Sequence, residues 1–466
     1  MIAGFAEREY TPSEGMVPGQ IKVGYAKGKR TPLMAHVAVI ESKGVGSVLV
    51  SLDILFVSVA FAAKLRRRIS DCTGYPVEHI LIACSHTHTG CAIDLDCWAF
   101  EGKPEYLDPV EEKVMEAVKA AYDSRSEVKM GVATGFDARF NFCRDFYTTD
   151  GYLVMNPGHK NADKLVKPFA AVDHSVNVMR FDDLDGKPRC FVINYANHLD
   201  TGGGPKEDSF SADYAGYMRL ALQRAYGEDV TVLFLNGCCA NVNHYDYKYG
   251  SDRVGHCREG AAPSVEIGEG LAETIKNVDP PLVTAIGEHH IQGKSRMHMT
   301  THRAATREQR EWAAHYQEGE VDVTIDSNLR KMMLAKLYLT DPADLPATVD
   351  LEIQTLQIGP WTIVGLPGEI FSSIGLKIKA NSPFANTIVV ELANGTHGYM
   401  APDMVQESGC YEGTYSNVAY TGHGTEKVLV DGATNMLNAL FEVDNTVSFG
   451  GFRNKPLSHE RKREQQ

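Results

Sequence analysis

The run LIACSHTHTG, residues 81–90, ends an apolar segment with two histidines one residue apart, His86 and His88. On a strand, positions i and i+2 face the same side, so both imidazoles would be offered together at one end of a sheet. Imidazole is a ligand for zinc and a proton carrier near neutral pH. The spacing points to a metal-dependent hydrolase, against the plainer reading that His-x-His sits on a solvated strand or turn and bonds to its neighbours.

Further segments put polar residues where strands give way to loops, the usual place for sites on layered α/β proteins. In NYANHLDTGGG, His198 follows a strand and precedes Gly202, Gly203 and Gly204, which allow close backbone approach to a ligand. In GLPGEIFSSIG, Glu369 stands at the start of an expected helix, where a carboxylate either complements the helix N-terminus or serves a site. NGTHGYMAPD and SGCYEGTYS carry Tyr399 and Tyr411 in glycine-rich loops that read as a binding rim or as ligands. In FLNGCCANVNHYDY, turn chemistry accounts for Asn241 and Asn243 ahead of His244; functionally, the turn could offer amides or backbone N–H groups to a developing oxyanion.

The elements expected to hold these residues are apolar runs at 36–42, 47–57, 79–85, 190–196, 230–236, 361–367 and 386–394, apolar on both faces and so parts of covered sheets. Between them, Pro109 to Tyr122 and Tyr214 to Tyr226 have helical period. The alternation predicts an α/β fold, a mixed layered α+β arrangement with buried strands covered by helices. Residues 303–340 are charged and helical in period and read as an insertion, either covering an edge or acting as a lid. A catalytic domain over 1–445 and a C-terminal tail over 446–466 are expected.

Of the 466 residues, 43% are hydrophobic and 23% charged, the composition of an ordinary globular protein. A net charge of −14 argues against nucleic acid as partner. The basic clusters Lys64 to Arg68 and Arg461 to Arg463 read as a solvated helix face and part of the tail. Ten cysteines without CxxC spacing are expected to be mostly reduced, buried thiols. The opening MIAGFAEREYTPSEG lacks the pattern of a secretion signal, and no stretch reaches the ~18 apolar residues of a spanning helix. A cytoplasmic protein without a transmembrane segment is expected.

Taken in order, AGFAEREYTP, SHTHTG, VDHSVNVMRF, NYANH, SADYAGYMR, FLNGCCANVN, LPGEIFSSIG and the Asn394 to Tyr415 block resemble the N-terminal catalytic domain of the neutral/alkaline non-lysosomal ceramidase family, over about residues 1–445. The resemblance implies a single zinc ion held by His86, His198, Glu369 and Tyr399, with His88 and Tyr411 facing the substrate and Arg144, in NFCRDF, near the pocket. It departs at one place: family members carry a Gly-Asp-x-Ser-Pro run whose serine lies beside the zinc, and here Ala240, Asn241, Val242, Asn243 and His244 stand there.

The expectation is thus a zinc-dependent hydrolase that cleaves an N-acyl amide by metal-activated water, with His88 as general acid or base and Asn243 positioning or stabilising charge. The substrate would be a small-molecule or lipid-like amide. Two rivals stand beside this one: hydrolysis of an ester or glycosidic bond, and a degenerate homologue that keeps the metal without turnover.

Overall fold

A computed structural model describes residues 1–17, 24–91, 104–201, 208–248, 262–278, 290–317, 331 and 334–448. Gly202 to Gly204, the middle of the 303–340 segment, and all but the first three residues of the expected tail lie outside the described residues.

Three sheets form the body. The first runs Ile80–Cys84, Val45–Leu52, Met34–Ser42, Ile2–Glu9, Ser126–Glu127 from edge to edge; the second runs Thr231–Asn236, Pro188–Tyr195, Ser175–Asp182, Lys129–Phe136; the third runs Ile291–Thr301, Thr348–Ile358, Trp361–Gly365, Thr387–Val390. Each contains the same unit: an antiparallel strand pair, then a helix, then a strand that joins the pair in parallel. Leu52 lies level with Cys84, Tyr195 with Asn236, and Gly365 with Val390. The connecting helices are Val59–Thr73, Asp213–Tyr226 and Ser372–Asn381. A parallel pair needs such a crossover, and a helix packed on the sheet supplies it.

Side-chain alternation explains the layering, since successive residues of a strand face opposite ways. Leu49 and Leu81 of the first sheet, Val192 and Leu233 of the second, and Ile363 and Ile388 of the third share one central core. Their neighbours Val50 and Ile82, Ile193 and Val232, and Val364 and Val389 face three separate outer cores, closed by helices. This is the mixed α/β layered architecture expected, with every strand of the parallel pairs buried on both faces.

Several local expectations are corrected. The apolar run at 47–57 ends as a strand at Leu52, because Asp53 turns inward to accept from Met34 N (3.0 Å). Glu369 does not open a helix: it lies in the short strand Glu369–Ile370, and the helix begins at Ser372. Arg66 is no solvated residue, because its guanidinium is buried against both oxygens of Glu352 (2.8 Å each) and Val77 O (3.0 Å). The 303–340 segment supplies the helix Arg307–Gln317, and Ala313, Ala335 and Tyr338 pack against Tyr415. Among the described residues no cysteine is in a disulfide, seven of eight are buried, and no helix is long and apolar enough to cross a membrane.

Candidate metal centre

The carboxyl ends of the three parallel pairs meet, and each contributes to one buried group. The histidines at 86 and 88 are not on a strand: Ile80–Cys84 ends first, and His86 takes a left-handed backbone with φ 73°. Such a conformation is costly for a residue with a Cβ and persists where the surroundings hold it. They do so here: His86 N donates to Ile54 O (3.0 Å) and Ser85 N to Leu52 O (2.8 Å). Thr87 pairs with Leu199 as an isolated bridge and His88 N donates to Leu199 O (3.0 Å), so the two histidine-bearing loops lie side by side.

The rings of His86, His88 and His198 have centroids 4.8 to 5.8 Å apart, and one nitrogen from each lies within 4.8 Å of the others. This buried trio could hold a metal ion. His86 Nδ1 donates to Leu55 O (3.1 Å), and His198 Nδ1 donates to Cys239 O and Val242 O (2.9 Å each). With the proton fixed on Nδ1, each neutral ring keeps its lone pair on Nε2, the arrangement that orients metal-binding histidines. Those Nε2 atoms stand 3.5 and 3.8 Å from Glu369 Oε2. His86 Nε2 and Glu369 Oε2 are buried and make no hydrogen bond. Two buried polar atoms left thus, facing one another, fit a missing cation.

Tyr399 reaches the group through backbone and side chain. Glu369–Ile370 pairs in parallel with Tyr399–Met400, which sets Tyr399 level with Glu369, and the phenol favours the ionised Glu369 carboxylate. Two glycines make this approach possible: a Cβ on Gly368 would lie 2.6 Å from Gly398 O, and one on Gly398, at φ 73°, 2.2 Å from Val418 O. Burial works against ionising Glu369, but His86 and Tyr399 outweigh it and its pKa is lowered. Burial opposes a charged His86 too, yet Glu369 raises its pKa. At His198 burial and then Arg144 and His86 act in the same direction, and the pKa falls well below that of free imidazole.

Arg144 is buried over this group. Nη1 lies 3.3 Å from His198 Nε2, Nη2 donates to the Tyr399 hydroxyl (3.3 Å), and Nε and Nη2 both contact Glu412 Oε1 at 2.9 Å. A cation at His198 therefore requires the guanidinium to draw back towards Glu412. Tyr411 is half-buried, its ring centred 5.6 Å from that of Tyr399. Asn243 lies beneath: Oδ1 accepts from Tyr245 N (3.0 Å) and Nδ2 donates to Asn156 Oδ1 (2.9 Å). Its neighbour His244 faces Asp200 at 3.2 Å.

Sequence reasoning passed over Glu391, Glu412, Asp200 and Asn236. Glu391 is pushed up to about 7 by burial. Asn236 Nδ2 donates to Ser85 O and Asn197 O (3.1 Å each), tying the two histidine loops to a third strand end. The available signal was a polar residue closing an otherwise apolar run, as in VVEL and LFLN.

No family model matches the sequence, and no curated protein matches it. Similarity appears in the solved structures. Neutral ceramidase from Pseudomonas aeruginosa superposes with a TM-score of 0.72 at 16% identity, covering 95% of this chain and 74% of that one. A ceramidase complexed with C2 gives 0.72 at 15%, covering 95% and 75%. At such identity the likeness is one of architecture, and the chain has a neutral ceramidase-like fold.

Proposed function

We propose that the protein is a zinc-dependent hydrolase of N-acyl amides, with the ion held by His86, His198, Glu369 and Tyr399. The observation that carries the reading is the pair of Nδ1-anchored imidazoles whose Nε2 atoms, that of His86 without a hydrogen bond and that of His198 met by Arg144, face the Glu369 oxygen. Two imidazoles and oxygen donors suit zinc. When bound, the ion supplies a Lewis acid and lowers the pKa of water.

The chain's own residues supply the rest. Arg144, kept protonated by Glu412, orients the Tyr399 hydroxyl and offers positive charge where a carbonyl oxygen becomes negative. His88 is the group that hands a proton to the departing amide nitrogen. Tyr411 lines the approach for the acyl chain. Asn243 supports these residues from the turn that also supplies the carbonyls of Cys239 and Val242 to His198. A substrate with a lipid-like acyl chain agrees with the fold, and a soluble N-acyl metabolite fits the same chemistry.

A second reading has its own observation: the nitrogens of all three histidines converge, which makes His88 a ligand in place of Tyr399. Metal analysis of the unsupplemented protein, with His86→Ala and His88→Ala, tests both. About one zinc per chain, lost in His86→Ala and kept in an inactive His88→Ala, is expected. Loss of zinc from both variants selects the three-histidine centre, and no zinc in the native protein refutes a metal enzyme. A panel of N-acyl amides, esters and glycosides then decides the bond: turnover confined to esters or glycosides overturns the amide assignment.

A further inference from the structure

Glu391 lies directly after the buried strand Thr387–Val390, at a position with no exposed surface, where its neighbours are valine, isoleucine and leucine. Burying a carboxylate is costly unless its oxygens are matched. Here they are. Oε2 accepts from Cys239 N and from Ile370 N, both at 2.9 Å, and Oε1 accepts from Cys239 Sγ at 2.9 Å. The backbone N–H of Glu391 donates to Asn236 O (3.1 Å).

Each partner is one step from the metal centre. Ile370 N belongs to the peptide that joins it to Glu369. Cys239 O is an acceptor for His198 Nδ1, and Cys239 Sγ lies 3.5 Å from the same nitrogen. A single side chain thus fixes the turn that carries the carboxylate ligand and the turn that orients the second histidine, and these turns come from different sheets. A residue needed only to fill the core would be apolar, like Val389 and Val390 before it.

We infer that Glu391 is a positioning residue for the metal centre: it sets the relative placement of Glu369 and His198. The inference rests on the metal-binding reading above. It differs from a merely structural role in what its removal changes, because outer carboxylates of metal sites typically govern affinity by about 10- to 100-fold.

Glu391→Gln keeps the shape and an oxygen for both backbone N–H groups and removes the charge and the thiol's acceptor. Cys239→Ala removes the thiol contact alone. Zinc affinity is read by competition with a chromogenic chelator, and melting of the metal-free proteins by circular dichroism. The expected result is native-like melting for both metal-free variants, with zinc bound at least about tenfold more weakly by Glu391→Gln and a few-fold more weakly by Cys239→Ala. Native affinity in a folded Glu391→Gln overturns the inference. Should metal-free Glu391→Gln melt far below the native protein, Cys239→Ala decides, and native affinity there overturns it equally. A native protein that binds no zinc refutes the metal reading itself, an outcome distinct from equal affinities in native and variant.

Discussion

Replacing Arg144 by Met leaves Glu412 buried with its main partner gone. In the native protein two guanidinium nitrogens contact one Glu412 oxygen at 2.9 Å, and both side chains are almost fully enclosed. Removing one partner of a buried pair ordinarily costs about 3–5 kcal/mol, because the remaining charge is uncompensated. Here the cost has a ceiling, since Glu412 can take up a proton instead. Holding protonated at pH 7 a carboxyl whose unfolded pKa is about 4.3 costs roughly 3.7 kcal/mol, and at pH 5 roughly 1 kcal/mol.

The sign follows. Burial already raises the folded pKa of Glu412, and Arg144 opposes that rise. Without Arg144 the folded pKa climbs further, so the variant loses stability as pH rises above the unfolded value. Urea unfolding of metal-free protein should show a destabilisation of up to ~4 kcal/mol at pH 7, shrinking to ~1 kcal/mol at pH 5. The double variant Arg144→Met/Glu412→Gln should recover much of the loss and show a weaker pH dependence, what remains belonging to the buried Asp145, whose carboxyl Arg144 also holds down. A penalty equal at pH 5 and pH 7, or a double variant no more stable than the single one, would refute the claim that the guanidinium serves to compensate Glu412.

Other expectations concern the supports of the site. His36 lies between Glu7 (3.0 Å) and Asp53 (3.3 Å); burial opposes its charge, yet Asp53 and then Glu7 raise its pKa. That stability is fully present below about pH 6.5 and lost as pH rises through the folded pKa, so His36→Gln should flatten the pH profile of thermal melting there; an unchanged profile sinks the assignment. Gly398→Ala forces a Cβ against Val418 O at 2.2 Å and should displace Tyr399, lowering both stability and zinc affinity; a variant with native zinc affinity argues against Tyr399 as a ligand. Asn243→Ala should cost about 1–3 kcal/mol by orphaning Tyr245 N and leaving Asn156 Oδ1 with the Tyr247 hydroxyl alone, measured by urea unfolding. If turnover falls while stability holds, Asn243 stabilises charge in the reaction instead.

The strands that carry the site were legible because each is apolar on both faces, and several close on a polar residue. The loops after them were not. His86 and His88 converge through a left-handed backbone at His86 held by Leu52 and Ile54, and a bridge from Thr87 to Leu199, features that depend on residues distant in sequence. Glu369 is expected at a helix start because Gly368 turns the chain just before it, while its pairing with Tyr399 is a tertiary event. Arg66 was read as solvated because its partner, Glu352, lies 286 positions later. The long pair Ile291–Thr301 and Thr348–Ile358 escaped notice because half-exposed strands mix Lys, Arg and Glu among their apolar residues.

The thrice-used strand-pair, helix and parallel-strand unit has a consequence for how the proposed metal centre would form. His86, His198 and Glu369 belong to three different units, so no unit holds a metal centre when folded alone. The centre comes into being only with the docking of all three, and an ion bound there acts as a clasp across their junctions. Saturating metal at about a thousand times its dissociation constant would add roughly 4 kcal/mol to the docked state and nothing to the separated one. On the proposed reading, chemistry would thereby be withheld from every partly assembled form of the chain.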